Sequence, residues 1–137
     1  MGEISILGYF ALSLKVLILP DKMSVRARKE IDGYRGKIRG VPIREIPCFL
    51  IGQLAKNSNI EPTEITGKML LEEAYAVIYS AMESIGGRYI MVECQDNEKL
   101  LNFYKNNGFD EFLREPEGDK PMVQMLRKMS DMVCNKK

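Results

Sequence analysis

Histidine is absent from all 137 residues. That excludes Ser-His-Asp and Cys-His catalysis, His-ligated metal sites, and the usual near-neutral proton shuttle. Acid–base chemistry must fall to Tyr, Glu, Asp, Lys, Cys or water. Cysteine is scarce. Cys48, Cys94 and Cys134 are odd in number and far apart, so they form neither a metal-ligand spacing nor a disulfide framework. No metal is expected. Reduced thiols in a cytoplasmic compartment are the simpler reading, with Cys94 a small residue on a buried strand rather than an acyl-accepting nucleophile. Excess charge is also missing. The net charge of +1 gives no global field toward nucleic acid or membrane, so such a partner would need a local patch. Long apolar runs are missing too. The opening MGEISILGYFALSLKVLILP is interrupted by Lys15 and lacks a basic leading region and a cleavage site, so it is read neither as a signal peptide nor as a membrane span.

What is present is ordinary for a globular chain: 45% hydrophobic and 28% charged residues. The length suits one domain, residues 1–137. Ile6 to Leu19 is rich in Leu, Ile, Val, Phe and Tyr and reads as a strand or hairpin arm, ended by Pro20-Asp21. Residues 21–45 form a basic excursion. Within it, Lys22 to Gly40 carries Lys22, Arg26, Arg28, Lys29, Arg35, Lys37 and Arg39 against only Glu30 and Asp32, with Ser24 placed to cap a short helix over Val25 to Ile31. Pro47 to Lys56 is nearly continuously apolar, which suggests a strand buried on both faces. Leu70, Leu71, Ala74, Val77, Ile78, Ala81 and Ile85 recur at helical spacing, and Gly86-Gly87 supplies the stop. Arg88 to Cys94 is a third strand. Asn97 opens a second helix ending at Gly108. Phe109 to Arg114 and Met122 to Lys128 read as closing antiparallel strands around Pro116 to Asp119. The middle strand-helix-strand unit requires parallel neighbours. The fold class is therefore mixed α/β, a central mixed sheet with a helix on either face.

Ligands in such sheets bind beyond the carboxyl ends of the strands. The loop from Lys56 to Gly67 lies there and feeds a helix N-terminus, whose free N–H groups and dipole suit an anion. Gly67 permits close backbone approach and Lys68 adds charge. Many strand-loop-helix junctions bind nothing, so this signal is weak alone.

The segments FLIGQLA, GKMLLEEA and VECQDNEKLLNFYKNNGF together resemble the GNAT acetyltransferase superfamily. Leu54-Ala55 and Gly67-Lys68-Met69-Leu70-Leu71 resemble the family's strand end and the helix that follows its pyrophosphate loop. Asn97 and Phe103-Tyr104-Lys105-Asn106-Asn107-Gly108-Phe109 resemble its second motif, F-Y-x-x-x-G-F. The match runs from about Gly8 to Met129, and its Gln-Leu-Ala strand and basic excursion look most like the toxins of toxin–antitoxin pairs. The resemblance implies a GNAT fold and an enzyme passing acetyl from acetyl-CoA to a primary amine by direct attack. It implies that Gln53, Leu54, Ala55 and Lys56 pair with the pantetheine arm through their backbone, splaying from the next strand. It implies that Ile65, Thr66, Gly67 and Lys68 hold the pyrophosphate, that Asn97 and Phe103 meet the pantetheine, and that Tyr104 is general acid to the sulfur. Glu93 is a candidate base if it faces the cleft, with water the alternative.

Two departures qualify this. Pro62 and Ile65 stand where the family's loop has Gln or Arg and a first glycine, and a β-branched residue disfavours the positive φ that glycine allows. The match also lacks the family's first strand and early helices, which is expected of a fragment or reduced member. That would leave an edge which a second subunit, as a homodimer, could cover. The alternative function is a non-catalytic GNAT-like binding module. In the toxin branch the acceptor is aminoacyl-tRNA, and Arg26, Arg28, Lys29, Arg35, Lys37 and Arg39 would contact its phosphates. Against that stands an ordinary solvated loop.

Overall fold

β-branched and aliphatic residues build the first long strand, β1 (Gly8–Ile18), and its partner β4 (Glu45–Lys56). The computed structural model describes residues 6–32, 37–38, 41–42, 44–56, 66–115 and 121–129. Between these strands lie the short helix α1 (Val25–Asp32) and the two-residue strands β2 (Lys37–Ile38) and β3 (Val41–Pro42), which pair antiparallel. The Ser24 hydroxyl accepts from the Ala27 N–H at 3.1 Å, the capping contact its position predicts. Helix α2 (Gly67–Ile85) then leads to β5 (Tyr89–Gln95), α3 (Glu98–Asn106), β6 (Asp110–Glu115) and β7 (Met122–Lys128). The expected turn at Pro116 to Asp119 lies outside the described residues.

The main sheet has the order β1-β4-β5-β7-β6. β4 and β5 are parallel, as a strand-helix-strand unit requires, and the other neighbours are antiparallel. The parallel pairing is short: Phe49 opposite Ile90, Leu50 opposite Met91, Ile51 opposite Val92. Both strands continue past it without pairing to each other. β4 was expected to be buried on both faces throughout. Burial instead stops at Ile51, and Gly52, Gln53 and Lys56 are exposed. The reason is loss of a neighbour, since beyond Ile51 only β1 still flanks β4.

The two sheet faces carry separate cores. One joins Phe49 and Ile51 of β4, Ile90, Val92 and Cys94 of β5, and Val123 and Met125 of β7 to Leu71, Ala74 and Ile78 of α2 and Leu101 and Tyr104 of α3. The other joins Leu17, Leu19, Ile46, Cys48, Tyr89, Met91 and Leu126, with Ile31 of α1 packed against them. The two longer helices thus share one face, which corrects the expectation of one on each. Periodicity shows that a helix has an apolar stripe, not which face of the sheet receives it. α1 covers the second face, tied down by the Arg88 guanidinium donating to the Ile31 carbonyl at 2.6 Å.

Leu71 is wholly buried and Val77, on the same helix, is 51% exposed. Leu71→Ala is expected to cost about 2–5 kcal/mol in urea unfolding, and Val77→Ala less than about 1 kcal/mol.

Candidate active site

The separation of β4 from β5 has a local cause. Ala11 lies opposite Gln53 and Leu12 opposite Ile51, so the register shifts and Gly52 has no partner on β1. An extra residue of this kind bends the strand and increases its twist. It falls directly after Ile51, the last residue that β5 pairs. From there Gly52 to Lys56 run with one edge on β1 and the other facing a gap. Backbone N–H and C=O groups along that edge need partners. Gln53 and Lys56 are exposed, and Leu54 and Ala55 are half-buried beside it.

Helix α2 begins near this gap. Thr66 is its N-cap, and its hydroxyl accepts from the Met69 N–H at 3.1 Å. The Leu70 N–H goes to the Thr66 carbonyl, so of this first turn the N–H groups of Gly67 and Lys68 remain to meet an anion. No acidic side chain occupies the first turn to compete for them. Lys68 is exposed there. Ile65 and the rest of the loop, Pro62 included, lie outside the described residues. A Cβ on Gly67 would come within 3.0 Å of the Phe103 ring. Glycine at this position lets α3 lie against the start of α2, and it brings Phe103 to the first turn of that helix.

Helix α3 positions the remaining candidates. Asn97 is its N-cap, with Oδ1 accepting from the N–H groups of Lys99 (2.9 Å) and Leu100 (3.3 Å). The side-chain oxygen is therefore engaged within the helix, and its amide N–H groups are what a ligand could use. Tyr104 is only 8% exposed. Its ring makes edge contacts with Phe103 at 5.1 Å and Phe109 at 5.5 Å. Its hydroxyl has no hydrogen-bond partner among the described residues. Burial pushes the phenol up to about 12, with Cys94 and then Tyr75 as further charge neighbours. Cys94 is buried two residues past the last paired Val92, so Tyr104 sits on the α2–α3 face of the sheet at the level of the gap. Burial also raises the Cys94 thiol, followed by the Asp96 charge, which disfavours a thiolate nucleophile there.

Two groupings were not anticipated. The Arg127 guanidinium donates to the Tyr75 hydroxyl at 3.0 Å and to the Asn107 carbonyl at 2.8 Å, and lies over the Tyr75 ring at 4.9 Å. It places a cation at the C-terminus of α3 and ties that helix to α2 and β7. Gly108 adopts φ +90°, and a Cβ there would come within 3.0 Å of the Arg127 side chain. The glycine of F-Y-x-x-x-G-F thus serves both the left-handed turn and this contact. The second grouping is an ion pair between Lys15 of β1 and Glu93 of β5. Glu93 projects to the second face, between Met91 and the gap, opposite to Tyr104. The one signal for this pair was Lys15 itself, a charge inside an apolar strand.

Of the basic excursion, Arg26 is exposed. Arg35 and Arg39, and the side chains of Arg28, Lys29 and Lys37, lie outside the described residues. Among the described residues, no helix is long and apolar enough to cross a membrane, and no group of three His, Cys, Asp or Glu could hold a metal.

No protein-family profile matches the chain, and no curated protein does. Solved structures match well. A tyrosine-to-phenylalanine mutant of the toxin AtaT aligns with a TM-score of 0.67 at 23% identity, covering 96% of this chain and 63% of that one. AtaT complexed with acetyl-methionyl-tRNAfMet aligns at 0.66 and 22%, covering 96% and 67%. A tyrosine-to-phenylalanine mutant of KacT aligns at 0.64 and 22%, covering 94% and 66%. At these identities the likeness establishes the architecture: the chain has the GNAT fold of these toxins. It spans 64% of the AtaT mutant bound to the C-terminus of the antitoxin AtaR, and 63% of the same mutant alone.

The folded state holds the Tyr104 proton more tightly than an unfolded phenol, which titrates near 10.0. The associated stability is complete below pH 10.0 and is lost as pH rises toward about 12. Chemical unfolding across that window is expected to show a smaller alkaline decline in Tyr104→Phe than in the parent chain.

Proposed function

We propose that this chain is an N-acetyltransferase core that passes acetyl from acetyl-CoA to a primary amine. The observation that carries this reading is the unpaired edge of Gly52 to Lys56, opened at Gly52 and flanked by Tyr104 and the start of α2. Its residues suit acetyl-CoA. The free edge of β4 offers amide partners for the pantetheine arm, and Thr66, Gly67 and Lys68 offer N–H groups and charge for the pyrophosphate. Phe103 supplies an apolar surface between them. AtaTR has been solved with AcCoA and AtaT with acetyl-methionyl-tRNAfMet, which supports acetyl-CoA as donor and aminoacyl-tRNA as acceptor; the charge of the basic excursion makes it the candidate contact for tRNA phosphates.

Acetyl-CoA supplies an acyl group activated as a thioester. The protein's part is to bind, polarise and manage protons. Backbone N–H groups at the bend of β4 polarise the acyl carbonyl. Tyr104 stays protonated at neutral pH and donates to the leaving sulfur. A phenol at about 12 is a weaker acid than an ordinary thiol near ~8.5. Tyr104 therefore acts mainly by hydrogen-bonding the developing thiolate, with full proton transfer secondary. Glu93 reaches the gap from the other face and can accept the proton of an incoming ammonium once Lys15 moves aside. A strand separation opens the sheet to both faces, so donor and acceptor can approach from opposite sides.

Exposed Leu14, Val16 and Ile18 on edge strand β1 suit cover by a second copy, in a homodimer. A cytoplasmic location fits the reduced cysteines.

Acetyl-CoA at micromolar concentration is expected to raise the melting temperature. Tyr104→Phe is expected to keep that shift while lowering turnover about a hundredfold, read as free CoA released with an amine acceptor. Unchanged turnover would remove Tyr104 from the chemistry. No thermal shift would favour a binding module that does not use CoA.

A further inference from the structure

Lys15 sits on β1 opposite Cys48 of β4, four residues before the bend at Gly52. Its side chain crosses β4 and places the ammonium on Glu93 of β5. Glu93 is the first β5 residue beyond Val92, where pairing with β4 ends. The ammonium of Lys15 is thus held at the mouth of the strand gap, on the face opposite Tyr104. Both partners remain within reach of solvent, their side chains 38% and 27% exposed. It is the one ion-paired lysine among the described residues. Cys48 lies beneath, its thiol donating to the Lys15 carbonyl at 3.3 Å, and burial raises that thiol to about 11. The neutral thiol leaves the Lys15 amine as the nucleophile of the group.

We infer that Lys15 is a site of self-acetylation. This rests on acetyl-CoA occupying the β4–β5 gap. A primary amine, a carboxylate that accepts its proton, and the thioester then meet at one place. The ammonium gives one proton to Glu93, which passes it to water. The freed amine forms a C–N bond with the acetyl carbon, and the C–S bond breaks with its electron pair on sulfur. The second proton leaving nitrogen ends on that sulfur, whose charge Tyr104 hydrogen-bonds meanwhile. The third stays on the amide. The product, an acetylated Lys15, carries no charge and cannot pair with Glu93. The carboxylate is then free to meet another amine.

The test compares two acetyl donors on the full chain by peptide mass spectrometry. With acetyl-CoA, Lys15 is expected to label at least about tenfold faster than exposed Lys22 and Lys68, because amine and donor are held together. With a small reagent, N-hydroxysuccinimidyl acetate, the order reverses, since pairing and partial burial protect Lys15. Glu93→Gln slows labelling by acetyl-CoA but not the thermal shift that acetyl-CoA produces. Equal labelling of the three lysines by acetyl-CoA, or none on Lys15 while the thermal shift persists, overturns the inference alone. Absence of the thermal shift overturns the proposed function, and this inference with it.

Discussion

One irregularity governs this molecule: the unpaired Gly52, where β4 leaves β5. A fully paired strand would satisfy its own backbone and expose none of it to a ligand. Here only three residues of β4 pair with β5. The rest of the strand keeps β1 on one side and offers its other edge. The hydrophobic core tolerates this because Phe49, Ile51, Ile90 and Val92 anchor the strands before they part, and α2 and α3 cover that end from one face.

The surrounding elements converge on the gap for separable physical reasons. Gly67 lets Phe103 approach the first turn of α2. Arg127 holds the far end of α3 against α2 and β7, so the helix carrying Tyr104 is fastened at both ends, by Asn97 at one and Arg127 at the other. Charge is divided between the faces. A neutral, buried phenol lies on the helical face, and an ion pair lies on the other.

Much of this was legible in the chain. Periodicity marked α2, and the Asn and F-Y-x-x-x-G-F segment marked α3 and Tyr104. The order of elements gave the parallel β4–β5 pair. The continuous apolar run of Pro47 to Lys56 misled, because composition does not reveal where a neighbour departs. It also hid the bend, since a lone Gly within a strand reads equally as a weak strand position. Neither the Arg127–Tyr75–Asn107 tie nor the Lys15–Glu93 pair joins residues close in sequence, so no local pattern could have displayed them. The helix placement failed for the same reason: which face receives a stripe is decided by contacts across the sheet. Asn97, expected at a ligand, was already a capping residue, and those two readings share the same position.

On the proposed function, the free edge of β4 receives the acetyl donor. Amide hydrogen exchange resolved to single residues tests it directly. Acetyl-CoA is expected to slow exchange at amides within residues 52–56 while leaving residues 12–17 of β1 unchanged. Unaltered exchange at 52–56, with acetyl-CoA bound and protecting some other segment, would contradict it.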